Sequence, residues 1–302
     1  MRIVRHENSW TVLAPAKLNL FFEVHGKRSD GFHDIASLAC PIDRFDALTF
    51  VPTDDGVLDF DCLGDNDVPT DDTNIVIRAL KLLKQITGTK RGAIVRLTKR
   101  IPSRAGLGGG SSDAAAALAV ANQAWKLGLL TEELCRFATM VGSDCPIFFQ
   151  QGASISRGRG EIIEPIELPS LHFVVLKPSE GLATAAVYAE CMKHHDGNLR
   201  QLESVLEPLK NGNLDEFGRR LFNRLEVPAA ALWSGFEATK QLFEQVNCLA
   251  VRMSGSGTTF FGLCRDAGHA EDVAEHLNHV APNTLVFRAR SQPWKLPKFV
   301  SS

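Results

Sequence analysis

Residues 102 to 114 read Pro102-Ser103-Arg104-Ala105-Gly106-Leu107-Gly108-Gly109-Gly110-Ser111-Ser112-Asp113-Ala114. Four glycines stand just before a run rich in Ala and Leu (111–127), which has the composition of a long helix. Glycines at the mouth of a helix let the backbone approach an anion and turn several N–H groups toward it, where the positive end of the helix dipole also points. A phosphate site is the natural inference, and a tight strand-to-helix turn capped by Ser or Asp is the alternative that one such loop leaves open. Two familiar phosphate loops fail on named positions. A Walker A loop needs Lys after its last glycine, and Gly110 is followed by Ser111. A dinucleotide fingerprint finds Ser111 where its third glycine belongs and no acidic strand end about 20 residues on.

Working outward, the segment before the loop alternates strand-like runs with polar turns: 11–26, 46–51, 57–62 and 93–101, each built of Val, Ile, Leu, Phe or Thr. Between the last two, residues 74–86 repeat apolar side chains at i, i+3, i+4 and i+7, which predicts an amphipathic helix starting near Thr73 or Asn74. After the loop a helix over 131–141 leads through Gly142-Ser143-Asp144-Cys145-Pro146 to the basic turn Arg157-Gly158-Arg159-Gly160. Past a Pro-punctuated stretch (163–170) the pattern restarts with a buried-looking strand at 172–178. Helices follow near 201–210, 214–222 and 234–246, then a strand-turn-strand at 249–264, a helix at 269–277 and a strand at 284–290. This predicts two α+β domains, 1–168 and 169–302, with the boundary near Pro169.

The chain has 302 residues, with 33 Lys+Arg against 35 Asp+Glu and a formal net charge of -2. Such a balance supplies no sequence-wide attraction to nucleic acid or an anionic membrane, so a highly charged ligand needs a local site and the expected partner is a small molecule. No stretch approaches the roughly 18 apolar residues of a membrane span, and the first ten residues lack the apolar run of a signal peptide, so a cytoplasmic setting is expected. Seven scattered cysteines without a C-x-x-C pair fit reduced thiols better than disulfides or a zinc cluster. His269, His276 and His279 fall in a helix-patterned segment with no completing ligands and read as a solvated face.

The loop sequence resembles the phosphate loop of the GHMP kinases, and further short motifs resemble that family in the same order. They are Ala14-Pro15-Ala16-Lys17-Leu18-Asn19-Leu20, Asp30-Gly31-Phe32-His33, Gly142-Ser143-Asp144-Cys145-Pro146, Arg157-Gly158-Arg159-Gly160-Glu161, Leu176-Lys177-Pro178 with Thr184 and Tyr188, and Met253-Ser254-Gly255-Ser256-Gly257-Thr258. The resemblance implies a two-domain α+β kinase, with a βαβ-type N-terminal nucleotide domain and a ferredoxin-like C-terminal α/β sandwich. It also implies ATP and magnesium. Within the family, the Ser-Ser-Asp-Ala-Ala form is similar to the branch whose acceptor is a cytidine diphosphate-linked methylerythritol; other GHMP kinases on sugars, mevalonate or homoserine, and a non-catalytic nucleotide sensor, are the rivals.

The same resemblance assigns roles. Lys17 and Asp144 fall on the positions of the family's lysine-aspartate pair, although on its own Lys17 reads as an edge lysine and Asp144 as an N-cap. Phosphoryl transfer asks for charge neutralisation and for a group that orients and finally deprotonates the acceptor, and a carboxylate suffices as base if the transition state is loose. Pro102, Gly106, Leu107, Gly108, Gly109, Gly110, Ser111 and Ser112 are expected around the nucleotide phosphates, and Asn74 and Lys99 at the adenine. Asn74 reads equally well as a helix cap. Asn19, Phe32, His33, Thr184 and Tyr188, with Asp144, are expected around the acceptor, Phe32 and Tyr188 flanking its base. Phe32 departs from the family's usual Tyr, which keeps a ring face and loses a hydroxyl.

Overall fold

The apolar run at 11–26 becomes β2 (Trp10–Lys27), an 18-residue strand paired antiparallel with β3 (His33–Thr53). Their register shifts between Pro15 and Ala16 and again between Asn19 and Phe21. These irregularities bracket Lys17 and Asn19, which share one face at a spacing of two, and such breaks in a ladder re-aim side chains. The computed structural model describes residues 1–65, 67–150, 152–193 and 197–291. Residues 292–302 of the expected second domain lie outside the described residues.

The first sheet runs β1 (Arg2–Arg5), β2, β3, β5 (Gly92–Thr98), β4 (Leu58–Leu63), with β6 (Ser154–Gly158) on β3 and β7 (Ile162–Pro165) on β6. β4 and β5 are parallel and joined through α1 (Ile75–Thr87), a βαβ unit. α2 (Gly109–Ala124) leaves the glycine loop and is buried along almost its whole length by small side chains, packing on α1, β2 and β3. α3 (Thr131–Val141) and a 3-10 turn at Cys145–Phe149 close that core over Val76, Leu80, Leu118 and Phe148.

The second sheet has order β10 (Ala250–Met253), β11 (Phe260–Cys264), β8 (His172–Lys177), β12 (Leu285–Arg290), antiparallel throughout. In chain order it is built as strand, helices α4 (Thr184–Cys191) to α8 (Phe236–Gln241), two strands, α9 (Ala267–Val280), strand. That second-third-first-fourth arrangement is the ferredoxin-like, split βαβ pattern. Between β8 and β10 lie α5 (Glu203–Lys210), α6 (Leu214–Arg220), β9 (Phe222–Asn223) and α7 (Glu226–Leu232). The helix expected to run through 222 stops at Arg220, because Phe222 and Asn223 instead pair in parallel with Phe21 and Phe22 of β2. A middle core joins both sheets: Leu18, Leu20 and Leu38 from the first meet Phe173, Val175 and Phe261 from the second. Among the described residues no helix is long and apolar enough to cross a membrane.

Candidate active site

The glycine loop is held from two sides. Lys17 N–H donates to the Leu107 carbonyl at 2.9 Å, and the Lys17 ammonium donates to the Gly106 carbonyl at 3.1 Å. From the second sheet, the Ser254 hydroxyl donates to the same Gly106 carbonyl at 3.0 Å. Gly106 has φ +72, and a Cβ there would collide with the Ser254 carbonyl, so both the turn and the close approach demand glycine. Asn223 of β9 in turn donates to the carbonyls of Met253 and Gly255, each at 2.8 Å, fixing the second glycine turn against the first sheet.

Lys17 is 3% exposed, and its ammonium lies 3.5 Å from Asp144 Oδ2, while the Asp144 side chain is 37% exposed. The ammonium also donates to Asn19 Oδ1, and Asn19 Nδ2 donates to Ser37 at 2.8 Å. Asp144 starts the 3-10 turn as expected of a cap, with Pro146 just inside, yet its side chain makes no capping bond. The carboxylate is thereby left to Lys17 and to the cleft. Gly160 packs on the same loop, where an added Cβ would lie 3.0 Å from the Ser143 carbonyl.

One cleft of about 1250 Å³ joins these groups. Its lining includes Val68, Pro69, Asn74, Val76, Leu97 and Lys99, the loop from Pro102 to Ser111 with Lys17 and Asp144, and Phe32, His33, Arg159, Thr184 and Tyr188. A single pocket binding one small molecule is usually about 300–1,000 Å³, so this cleft has room for a donor and an acceptor end to end.

Of the expected site residues the structure brings all but one to this cleft. Ser112 is the exception: it is fully buried, its hydroxyl has no partner, and it lies outside the lining, because the fourth position of α2 turns into the core. Asn74 and Lys99 line the cleft but are already engaged. Asn74 Oδ1 caps α1 by accepting from Val76 N–H at 2.8 Å, and its amide donates to the Pro69 carbonyl at 2.6 Å. Lys99 is buried between Asp46 and Asp113, 2.8 Å from the latter. Asp46 is further held by the N–H groups of Arg100 (2.5 Å) and Ile101 (2.8 Å), whereas Asp113 Oδ1 has no partner. Burial, offset by Lys99 and reinforced by Asp46, pushes the Asp113 carboxyl up to about 7, and although burial opposes it, the two carboxylates hold the Lys99 ammonium above its ordinary range.

Elsewhere in the cleft Tyr188 packs on His33, the rings tilted by 33° with centroids 4.8 Å apart, and meets the Phe22 ring edge-on at 6.4 Å. Burial and the Lys27 charge hold the His33 imidazole below its ordinary range, and its Nε2 is buried without a partner. Thr184 Oγ1 is 3.0 Å from Ser256 Oγ, tying α4 to the second glycine turn. Phe32 is 48% exposed, and its ring carries the Arg159 guanidinium 4.5 Å from the centroid. Phe32 and Tyr188 thus both line the cleft, each with another side chain already against its ring. The second glycine motif, Ser254 to Gly257, is expected from the resemblance to support the loop, and Ser254 does so; sequence reasoning missed Asn223 and Arg159 as contributors. The glycine-flanked Arg159 was a visible signal; Asn223, embedded in a helix-like pattern, gave none.

Residues 74–152 match the model of the GHMP kinases N terminal domain and residues 205–283 that of the GHMP kinases C terminal. Over 279 residues the chain is 36% identical to a 4-diphosphocytidyl-2-C-methyl-D-erythritol kinase of Pelotomaculum thermopropionicum, covering 92% of this chain and 97% of the relative. A solved 4-(cytidine 5'-diphospho)-2C-methyl-D-erythritol kinase superposes with a TM-score of 0.79 at 32% identity, over 93% of this chain and 99% of that one. A homoserine kinase from Cytophaga hutchinsonii shares the fold at a TM-score of 0.75 and 18% identity, over 97% and 98% of the two chains. A phosphate-type loop clamped by two sheets, a lysine-aspartate pair beside it and this likeness along nearly the whole chain lead to one assignment: the chain belongs to the GHMP kinases, in the branch of the 4-diphosphocytidyl-2-C-methyl-D-erythritol kinases.

Proposed function

We infer that the chain transfers the γ-phosphoryl group of ATP to the 2-hydroxyl of 4-diphosphocytidyl-2-C-methyl-D-erythritol, giving the 2-phosphate and ADP, a step of the non-mevalonate isoprenoid pathway. The observation that carries this reading is the Lys17–Asp144 pair at 3.5 Å, in contact with the glycine loop through Gly106 and sharing one cleft with Phe32 and Tyr188. Asp144, free of capping duty, orients the acceptor hydroxyl and takes its proton late, as a weak base can when the transition state is loose. Lys17 holds Asp144 and offsets charge on the transferred group. The N–H groups of the loop from Gly106 to Ser111 receive the phosphates at the start of α2. Lys99 sets the loop from below through Asp113, and Asn74 holds the wall formed by Val76 and Pro69 against which the adenine lies. Asn19, Phe32, His33, Thr184 and Tyr188 receive the acceptor.

Among the described residues no three His, Cys, Asp or Glu side chains converge as a metal site, and Asp113 is tied to Lys99. These residues do not fit a protein-held cation. Magnesium is therefore proposed to enter on the phosphates of the nucleotide, with no carboxylate of the chain assigned to it. The two working units are proposed to divide near Pro169, 1–168 and 169–302, and the seven free thiols support a cytoplasmic setting.

The test is a coupled assay for ADP with the cytidylylated acceptor beside a panel of sugar, mevalonate and homoserine. Turnover confined to the cytidine compound is expected. Comparable turnover of any other acceptor would reduce the reading to the general family activity.

A further inference from the structure

The turn Arg157-Gly158-Arg159-Gly160 puts a cation in the cleft that the reaction as described leaves unused. Gly158 has φ +69 and Gly160 φ +111, and the Arg159 N–H donates to Glu161 Oε2 at 2.5 Å, so the turn is fixed by its own backbone while the Arg159 side chain is left to the cleft. One flank of this turn meets the Ser143 carbonyl next to Asp144; on the other, the Arg159 guanidinium rests on the Phe32 ring. Arg159 therefore stands between the group that addresses the acceptor hydroxyl and an aromatic ring at the base end. Five Lys and Arg side chains line the cleft: Lys17 is paired with Asp144, Lys99 with Asp46 and Asp113, Lys27 and Arg104 line it too, and Arg159 is, among the described residues, the one of the five that rests on an aromatic ring of the cleft. The nearby Asp30 carboxylate is occupied by Arg28 at 3.1 Å and by the Phe32 N–H at 3.1 Å. Among the described residues, no carboxylate forms a salt bridge with Arg159 in the way Arg28 holds Asp30. An arginine on an exposed aromatic face is held loosely, and a charge-assisted bond to an anion outcompetes that contact.

We propose that Arg159 is a specificity residue that binds the diphosphate of the acceptor, parked on Phe32 until that diphosphate arrives. The proposal rests on the acceptor assigned above: a diphosphate joining a base at Phe32 and Tyr188 to a hydroxyl at Asp144 has to pass the Arg159 turn. It also gives Phe32 a use that does not need the missing hydroxyl, since a plain ring is a sufficient resting place for a guanidinium.

The experiment is steady-state kinetics on the wild-type chain, Arg159→Gln and Arg159→Lys, together with calorimetric binding of cytidine diphosphate and of cytidine. Arg159→Gln is expected to raise the acceptor KM about 10- to 100-fold, the loss of a charge-assisted contact, while the ATP KM stays within about twofold. Arg159→Lys should fall between, keeping the charge without the planar fork. Cytidine diphosphate should lose affinity in Arg159→Gln by a similar factor while cytidine keeps its own. The proposal is overturned if Arg159→Gln leaves the acceptor KM unchanged, or if cytidine and cytidine diphosphate weaken equally, which would make Arg159 a prop for Phe32. If the wild-type chain does not turn over the cytidylylated acceptor, the functional reading falls; the binding comparison then still decides on Arg159, since a diphosphate preference that persists in Arg159→Gln refutes the role.

Discussion

At the scale of single residues the Lys17–Asp144 pair makes the sharpest prediction. Asp144→Asn keeps the shape of the side chain and loses the ability to accept a proton, so kcat should fall roughly 100- to 10,000-fold with little change in ATP affinity. Lys17→Ala should cost a comparable factor. Because the two lie 3.5 Å apart and are proposed to act on one proton and one phosphoryl group, the double variant should lose far less than the product of the single losses. Losses that multiply would separate the roles, and near-normal turnover in Asp144→Asn would return that residue to the part of a turn-former. How legible these residues were in the sequence depends on where their partners came from. Asp144 and Lys17 were read from motifs, but neither spacing nor composition shows that the Asp144 cap goes unused, because that depends on a lysine 127 positions away in the chain. Asn74 shows the converse. Its local reading as a cap is the one its side chain follows, since the capped N–H lies two residues away in the chain.

Among the elements, the loop and α2 carry two predictions. The glycines of the loop are not equivalent. At Gly106 a Cβ would meet the Ser254 carbonyl, whereas at Gly110 it would meet only Ile75 Cγ2 at an ordinary 3.6 Å. Gly106→Ala should therefore lower the melting temperature and raise the ATP KM by an order of magnitude or more, through strain at φ +72 and a displaced clamp. Gly110→Ala should leave the melting temperature within a few degrees, and equal damage by both would mean that the loop is set by phosphate contact alone. Asp113, the fifth residue of α2, supplies the pH prediction. Its carboxyl rises from 3.8 to about 7 on folding, so the native chain holds that proton better than the unfolded one. The stability it contributes is present below pH about 4 and is lost as pH rises through about 7. Asp113→Asn keeps an acceptor for Lys99 and removes the titration. Its melting temperature relative to wild type should rise between pH 5 and 8, and a difference constant across that range would show that the buried cluster does not titrate. The long amphipathic and Ala-rich helices were legible because their periodicity is local. β9 was not: two residues joining a distant strand leave no pattern of their own.

For the whole molecule, two sheets carry the fold, and they do not divide its core. The middle core takes side chains from β2 and β3 on one side and from β8 and β11 on the other. β9, from the second half of the chain, is hydrogen-bonded to the first sheet, and its Asn223 holds the turn whose Ser254 clamps the glycine loop. Hydrophobic pattern shows which faces are buried and stays silent on which faces meet, which is why this joint could not be read from the sequence. A fragment ending at 168 would expose the half of that core formed by Leu18, Leu20 and Leu38 and would leave Gly106 without its Ser254 partner. Shared burial of this kind couples unfolding, so the full chain should melt in one transition with equal calorimetric and van't Hoff enthalpies. ATP, whose proposed site lies largely in the first half, should shift that single transition to higher temperature as a whole. The measurement is differential scanning calorimetry with and without nucleotide. Two resolved transitions, of which only one moved with ATP, would show two independently stable domains, and the clamp from Ser254 to Gly106 would then be a contact that forms and breaks while both halves stay folded.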